Sequence, residues 1–193
     1  MIDKTALVIV DTQSIITYHS YHGEEIVGKI SSLQAKAREL NIPVLFIQHI
    51  GPAGTPFEEG AHMTEIHPTV APLEGEIVIK KTACDSFFET SLHQELIDRD
   101  IKHLIIVGFQ TQFCIDTACR SAVSRGYDVT LVGDCHSTAN TPTLDAISII
   151  DHHNETLNGL GTLHHHITVK DSSEIFSSEL ARRCKIKDFE LRT

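Results

Sequence analysis

The chain has 193 residues, of which 41% are hydrophobic and 6% are aromatic, and its formal charge at pH 7 is −10. This length suits one domain of ordinary size, and the composition excludes a largely disordered protein. The acidic balance and the lack of a basic stripe with interleaved aromatic residues argue against binding to nucleic acid. We therefore expect a single globular domain over residues 1–193.

The N-terminal residues and the cysteines indicate a compartment. The chain enters a strand pattern directly, without the charged and apolar regions of a signal peptide, and its longest apolar runs are far too short to cross a membrane. The cysteines are odd in number, scattered, and lack a C-x-x-C pair, which suits reducing conditions better than a disulfide framework. They are Cys84, Cys114, Cys119, Cys135 and Cys184. We expect a cytoplasmic protein with no membrane partner.

Strand-like apolar runs alternate with amphipathic helical stretches along the chain. Strands are predicted over 5–10, 43–48, 76–79, 103–108, 128–133 and 167–170. Helices are predicted over 24–40, 90–99, 111–125, 142–158 and 171–182. This alternation is typical of an α/β fold with a mostly parallel sheet, and the almost wholly apolar strands require helices on both faces. The long connection over 50–75 is too long for an ordinary loop, which favours a functional role.

Charged residues stand at the ends of two predicted strands, where the functional site of a parallel sheet lies. Asp11 directly follows the first strand. The alternative to a functional role is a solvated carboxylate or an Asx turn that ends the strand. Lys80 and Lys81 end the third strand. Because adjacent strand residues point to opposite faces, at most one of these lysines enters the site, and the alternative is two solvated amines.

Cys114 follows the fourth strand after Gly108 and a short polar turn, which places it in the first turn of the helix predicted over 111–125. Exposed N–H groups and the helix dipole favour an anion there, and can lower the thiol pKa well below about 8.5. We expect a reactive thiolate; the alternative is a buried small hydrophobic side chain. A carboxylate, an amine and a thiol at three strand ends together indicate nucleophilic catalysis.

Three sequence blocks resemble those of the isochorismatase-like cysteine hydrolases, which include nicotinamidases and N-carbamoylsarcosine amidases. The first block covers 6–13 and contains Asp11. The second begins at Lys81, in a register that selects it over Lys80, and the third covers 108–127 around Cys114. The blocks follow one another in unbroken order up to about residue 158.

The resemblance implies a three-layer, Rossmann-like fold with a six-stranded, mostly parallel sheet between helix layers. It also implies a catalytic triad of Asp11, Lys81 and Cys114. A cis peptide bond between Phe109 and Gln110 is implied too, which would turn the Gln110 N–H toward the Cys114 N–H to form an oxyanion hole. The family further points to a homo-oligomer, either a dimer or a tetramer. No cofactor is expected.

Two departures from the relatives narrow the branch of the family. The stretch after the second strand lacks the Asp-x-His metal motif of nicotinamidases, so we expect no metal site. The consecutive residues His164, His165 and His166 alternate faces when extended, and therefore cannot all bind one ion. Ether-cleaving isochorismatases lack the nucleophilic cysteine, so Cys114 favours the amide-hydrolysing branch. A looser resemblance points to streptothricin-hydrolase-like amidases.

These observations predict a cysteine amidohydrolase that acts on a small, non-peptide, linear or cyclic amide through a Cys114 thioester. Asp11 is the general acid and base, and Lys81 stabilises the thiolate. The expected substrate contacts are Gln13, His49, Phe113 and His136, and we expect the loop over 50–75 to set specificity.

Three alternatives remain open from the sequence. The first is a catalytically silent binding or regulatory protein on the same fold. The second is an ether hydrolase of the isochorismatase type. The third is a redox sensor that pairs Cys114 with Cys119 or Cys135, which requires the two thiols to lie within disulfide reach.

Overall fold

The protein is described by a computed structural model that covers residues 4–177 of the chain. Its six strands form one sheet in the order β3-β2-β1-β4-β5-β6, and every neighbouring pair is parallel. The strands are β1 (Thr5–Val10), β2 (Val44–His49), β3 (Ile77–Lys81), β4 (His103–Phe109), β5 (Asp128–Ser137) and β6 (Ile167–Lys170). The prediction of a six-stranded, mostly parallel sheet is therefore confirmed.

Five α-helices flank the sheet in the described part of the chain. They are α1 (Ser14–His19), α2 (Gly23–Glu39), α3 (Leu92–Asp98), α4 (Asp116–Ser124) and α5 (Ala146–Leu157). Within residues 4–177, none of them is both long and apolar enough to cross a lipid bilayer. Sequence reasoning missed α1, because its two apolar residues are adjacent and give no helical period.

The strand side chains alternate between two hydrophobic clusters, one on each face of the sheet. Leu7 and Ile9 of β1 pack with α1 and α2, whereas Ala6, Val8 and Val10 pack with α3, α4 and the end of α5. Because helices cover both faces, even the central strands can be apolar throughout. The three-layer architecture is confirmed.

Several predicted helix boundaries shift for local reasons. The helix expected to open at Pro142 begins at Ala146 instead, because the Asp145 carboxylate caps it by accepting a hydrogen bond from the Ser148 N–H at 2.7 Å. Gly126, with φ of 86°, follows α4 as the predicted C-terminal glycine. Of the helix predicted over 171–182, residues 172–176 form turns instead, while residues 178–182, and also Cys184, lie outside the described residues.

β1 and β4 approach closely where the strand order reverses. Val10 pairs with Gly108, whose φ is 122°. A Cβ atom added at Gly108 would lie 2.0 Å from the Val10 carbonyl oxygen, so no side chain fits there. The chain segments that follow these two strands therefore emerge side by side at the topological switch point, where ligands bind in such sheets.

The long connection after β2 folds over this same edge of the sheet. It contains two short 3₁₀ turns, His62–Thr64 and Pro68–Val70. The His67 N–H donates to the Thr12 carbonyl at 2.8 Å, and the Ser14 N–H donates to the Glu65 carbonyl at 3.1 Å. The connection is thus tied to the segment that follows β1.

Candidate active site

A buried ion pair joins the ends of β1 and β3. Lys81 Nζ lies 2.8 Å from Asp11 Oδ2, and the two side chains are 0% and 1% exposed. Asp11 has a left-handed backbone conformation with φ of 47°, which ends the strand and redirects the chain. Lys81 Nζ also donates to the Cys84 carbonyl at 3.2 Å. Burial disfavours the ammonium, but the charges and hydrogen bonds of Asp11 and Cys114 together outweigh it, so the pKa of Lys81 lies above its usual range.

Cys114 lies beside this ion pair, in a turn that follows β4. The turn is one turn of π-helix, Thr111–Ile115, and it leads directly into α4. The prediction of a regular α-helix from residue 111 is therefore wrong for its first turn. The cysteine nevertheless lies just before α4. The Cys114 sulfur, an Asp11 oxygen and a His49 ring nitrogen all lie within 4.8 Å of one another.

The prediction that the pKa of the Cys114 thiol is lowered is wrong. Burial raises the pKa of the thiol above its usual range, the Asp11 carboxylate raises it further, and the Lys81 ammonium opposes them only in part. The sequence could indicate the helix terminus, which favours an anion, but not the burial or the adjacent carboxylate. Cys114 is therefore a thiol beside the ion pair of Asp11 and Lys81.

A cavity of about 370 Å³ opens over these groups. Its lining comes from the ends of β1, β2 and β4, from α1, and from the long connection after β2. The residues are Asp11, Ile15, Ile16, His19, His49, Pro56, Phe57, Cys84, Gln110, Phe113 and Cys114. Among the predicted substrate contacts, His49 and Phe113 therefore face the cavity. Sequence reasoning missed the α1 residues because it missed α1 itself.

His49 is a polar residue of the cavity lining, and one of its ring nitrogens lies within 4.8 Å of the Cys114 sulfur. Its ring makes an edge-to-face contact with Phe57, with the ring centroids 5.5 Å apart. Burial lowers the pKa of His49, Lys81 lowers it as well, and Asp11 only partly opposes them. His49 therefore presents a neutral imidazole to the cavity at neutral pH.

Gln13 is buried beneath the site, and the structure argues against its predicted contact with substrate. Its Nε2 donates to the carbonyls of His49 at 2.9 Å and Thr64 at 2.6 Å, and its Oε1 accepts from the His49 N–H at 2.8 Å. These bonds engage the whole side-chain amide. Gln13 therefore holds His49 and the long connection in place from below.

His136 is likewise buried, which contradicts its predicted contact with substrate. Asn154 Nδ2 donates to the Gly133 carbonyl, which leaves Asn154 Oδ1 to accept from His136 Nε2 at 2.9 Å. The Thr111 hydroxyl then donates to His136 Nδ1 at 2.9 Å. Burial lowers the pKa of His136 to about 4. This neutral histidine ties β5 and α5 to the first residue of the turn that carries Cys114.

The peptide bond between Phe109 and Gln110 is cis. It lies at the junction between β4 and the turn that contains Cys114, and Gln110 lines the cavity beside that cysteine. The two residues of the expected oxyanion hole, Gln110 and Cys114, thus border the same space.

Asp11, His49 and Cys114 also form a donor set of the kind that binds transition metals. The Lys81 ammonium opposes such binding, because it already compensates the Asp11 carboxylate at 2.8 Å and would repel a second cation. The arrangement fits proton transfer between the carboxylate and the thiol better than it fits a cation.

The two cysteines considered as redox partners are both fully buried. Cys135 packs in the hydrophobic cluster on the opposite face of the sheet from Cys114, which speaks against a disulfide between them. Burial raises the pKa of the Cys135 thiol to about 12. Cys119 belongs to α4 and packs in the hydrophobic cluster beneath that helix, where burial also raises the pKa of its thiol.

Comparisons with known proteins agree with this geometry. The family model described as Isochorismatase domain matches residues 5–153. The secreted isochorismatase effector Isc1 of Verticillium dahliae is 34% identical over 122 residues, which cover 63% of this chain and 64% of that protein. Streptothricin hydrolase of Streptomyces noursei is 28% identical over 74% of this chain and 58% of its own length. The chain thus spans less than two thirds of the length of these two relatives.

A solved structure extends the likeness to the three-dimensional fold. An isochorismatase from Pseudomonas putida KT2440 superposes with a TM-score of 0.79 at 26% identity, covering 89% of this chain and 90% of that one. The family match includes β1 to β5, and with them Asp11, Lys81 and Cys114. The chain therefore belongs to the isochorismatase family.

Proposed function

We propose that this protein is a cysteine-dependent hydrolase that cleaves an amide-type C–N bond in a small, non-peptide substrate. The observation that carries the proposal is the meeting of Asp11, Lys81 and Cys114 at one end of the sheet, under a cavity of substrate size. A nucleophile, a proton acceptor and a fixed positive charge are the parts that nucleophilic acyl transfer requires.

In the acylation step, the Cys114 sulfur attacks the amide carbonyl while its proton passes to the Asp11 carboxylate. Because the pKa of the free thiol is raised, proton transfer accompanies the attack instead of preceding it. Lys81 stays protonated and stabilises the negative charge as it moves from the carboxylate to the reacting atoms.

The negative charge that develops on the carbonyl oxygen is assigned to the backbone N–H groups of Gln110 and Cys114. Collapse of the tetrahedral intermediate breaks the C–N bond, and Asp11 returns the proton to the leaving amine or ammonia. Water then attacks the Cys114 thioester with Asp11 as the base, which releases the acid and regenerates the thiol. The streptothricin hydrolase relative supports hydrolysis as the outcome.

The proposal is tested by ammonia release from a panel of small amides, combined with mass spectrometry of the protein during turnover. We expect the mass of an acyl group on Cys114, and loss of turnover in both Cys114→Ala and Asp11→Asn with the fold retained. Cys119→Ala is the matched control, because that cysteine is buried in α4 away from the cavity. Full activity in Cys114→Ala would remove the mechanism.

One observation favours a second candidate, a binding protein that keeps this site without turnover. The raised pKa of Cys114 would make its thiol inert if no substrate drew the proton to Asp11. The two candidates differ in covalent chemistry: a silent binding protein gains no acyl group on Cys114 with any amide or activated ester.

A further inference from the structure

We propose that the substrate of this site is an uncharged, compact amide whose non-reacting part is apolar. This inference rests on the proposed hydrolysis at Cys114 and names the class of molecule on which it acts. It follows from two properties of the cavity, its apolar walls and its internally balanced charge.

The walls of the cavity are mostly aliphatic and aromatic. Ile15 and Ile16 of α1 form one side, and Pro56 and Phe57 of the long connection form another. Phe113 stands at the entrance, with 49% of its surface exposed. Apolar walls of this kind favour a hydrophobic group beside the scissile bond, because its burial removes apolar surface from water.

The polar lining holds no permanently charged group without a partner. Asp11 is the one carboxylate among the described residues that line the cavity, and the Lys81 ammonium already compensates it at 2.8 Å. No lysine or arginine belongs to this part of the lining. Two histidines complete the ionisable lining: the exposed His19, and His49, whose imidazole is neutral because its pKa is lowered. A carboxylate on the substrate would thus find no lysine or arginine, and an ammonium would find no available anion.

Such a charge would be desolvated without a partner, which is strongly unfavourable. The chain as a whole also carries a formal charge of −10, so its long-range field opposes the approach of anions. The cavity of about 370 Å³ lies near the lower end of the range of about 300–1,000 Å³ for ligand pockets. A cavity of this size accommodates one ring or a short aliphatic chain next to the amide.

The binding experiment uses three amides that share a ring and a carboxamide and differ in charge. They are benzamide, para-carboxybenzamide and para-(aminomethyl)benzamide, and their dissociation constants are measured by ligand-observed NMR on Cys114→Ala at pH 8. We expect benzamide to bind at least about tenfold more tightly than either charged amide. A charged amide that binds as tightly as benzamide, or no binding of benzamide, overturns the inference.

A charge substitution identifies the cavity as the place of binding. In the Cys114→Ala background, Phe113→Arg is expected to favour para-carboxybenzamide over benzamide, because it supplies the missing cation. Phe88→Arg is the matched control: Phe88 is also 49% exposed but lies outside the cavity lining, so the preference for benzamide should remain. An equal effect of both substitutions would show that binding occurs elsewhere, and would overturn the inference.

The same amides separate this inference from the proposed function. Ammonia release by the wild-type protein, absent in Cys114→Ala, tests hydrolysis alone. If benzamide binds selectively but is not hydrolysed, the proposed amide hydrolysis of this class fails while the assignment of the occupant stands. If hydrolysis depends on Cys114 but prefers a charged amide, the proposed function stands and the inference on charge fails.

Discussion

Lys81 Nζ lies 2.8 Å from Asp11 Oδ2, although their strands β3 and β1 are separated in the sheet by β2. The long lysine side chain reaches across His49, its register partner at the end of β2. Both charges are removed from water, so the pair is a weak source of stability in itself. Its value lies in the charge balance that it gives to the space around Cys114.

We expect the buried pair to show strong coupling in a double-mutant cycle. Lys81→Met and Asp11→Leu should each lower the free energy of unfolding by about 3–5 kcal/mol, because each leaves one buried charge without its partner. The double variant should lose clearly less than the sum of the two, as measured by urea unfolding. Lys80→Met is the control: its ion pair with Glu59 is exposed, so its loss should change the free energy of unfolding little. Additive losses at Asp11 and Lys81 would contradict the pairing.

The charges beside Cys114 predict opposite effects of two substitutions on thiol reactivity. Asp11→Asn removes a charge that raises the pKa of the thiol, so iodoacetamide should alkylate Cys114 faster at pH 7.5, although hydrolysis is lost. Lys81→Met removes the opposing ammonium and should slow alkylation. In the wild-type protein, the rate should climb into the alkaline range without a plateau near neutrality.

Peptide mapping reports this alkylation at each cysteine separately. A cysteine-containing peptide added to the same reaction serves as the reference for reagent and time when Asp11→Asn is compared with the wild-type protein, because the exposed Cys84 itself lines the cavity. Slower alkylation of Cys114 in Asp11→Asn would mean that the carboxylate does not act on the thiol.

The amide of Gln13 should matter for both stability and substrate binding. Gln13→Ala removes three hydrogen bonds and leaves buried backbone groups of His49 and Thr64 with fewer partners, so we expect a loss of about 2–3 kcal/mol in unfolding free energy. KM should rise more than kcat falls, because the substitution loosens a wall of the cavity and leaves the reacting groups in place.

Gln48→Ala is the matched control for this effect. Gln48 Nε2 also donates to the Thr64 carbonyl, at 3.1 Å, but Gln48 does not line the cavity. We expect a smaller loss of stability and little change in KM. Limited proteolysis within residues 50–75 should accelerate more in Gln13→Ala than in Gln48→Ala; equal acceleration would argue that the contact with His49 is unimportant.

His136 should make the stability of the protein depend on pH in the acidic range. Its pKa is about 4 in the folded protein, whereas a histidine in the unfolded chain titrates near 6.5. Between these values the unfolded chain binds a proton that the folded protein does not, so stability is lost as pH falls from about 6.5 to 4. The expected contribution is up to about 3 kcal/mol in unfolding free energy.

Urea unfolding at several pH values measures this contribution. His136→Gln should flatten the decline in stability, whereas substitution of the exposed His152 by Gln should leave it unchanged. An unchanged decline in His136→Gln would show that other groups cause it. The variant should also have reduced activity, because His136 holds Thr111 at the start of the turn that carries Cys114.

The positions of the reacting groups could be predicted because they depend on local patterns. A wholly apolar strand ends at Asp11, alternation lets only one of the two adjacent lysines point inward, and Cys114 follows the central strand β4. The structure agrees on this point: Lys81 is buried, while Lys80 pairs with Glu59 at the surface. The strand period and the rule that site residues lie at strand ends limited the candidates, and the resemblance to the family selected Lys81 over Lys80.

The surroundings of those groups could not be predicted, because they depend on contacts distant in sequence. Nothing local indicates that Gln13 bonds to Thr64, or that His136 lies between Thr111 and Asn154. The predicted direction of the pKa shift at Cys114 was wrong for the same reason. The thiol pKa is raised by burial and by a carboxylate at the end of another strand, and a helix terminus in the sequence indicates neither.

Gly108 has a consequence for how this site can change over time. Because Gly108 has no side chain, β4 can lie directly against the Val10 carbonyl. Val10 precedes Asp11 by one residue, and Gly108 precedes Cys114 by six. Even a methyl group at this position would wedge the two central strands apart, and would part the proton acceptor from the nucleophile while every reacting group remained. Phe113, which lines the cavity and is 49% exposed, is under no such constraint. Descendants of this protein could thus change their substrate through the exposed part of the cavity lining. A side chain at position 108 would instead abolish activity, even though Asp11, Lys81 and Cys114 were all still present.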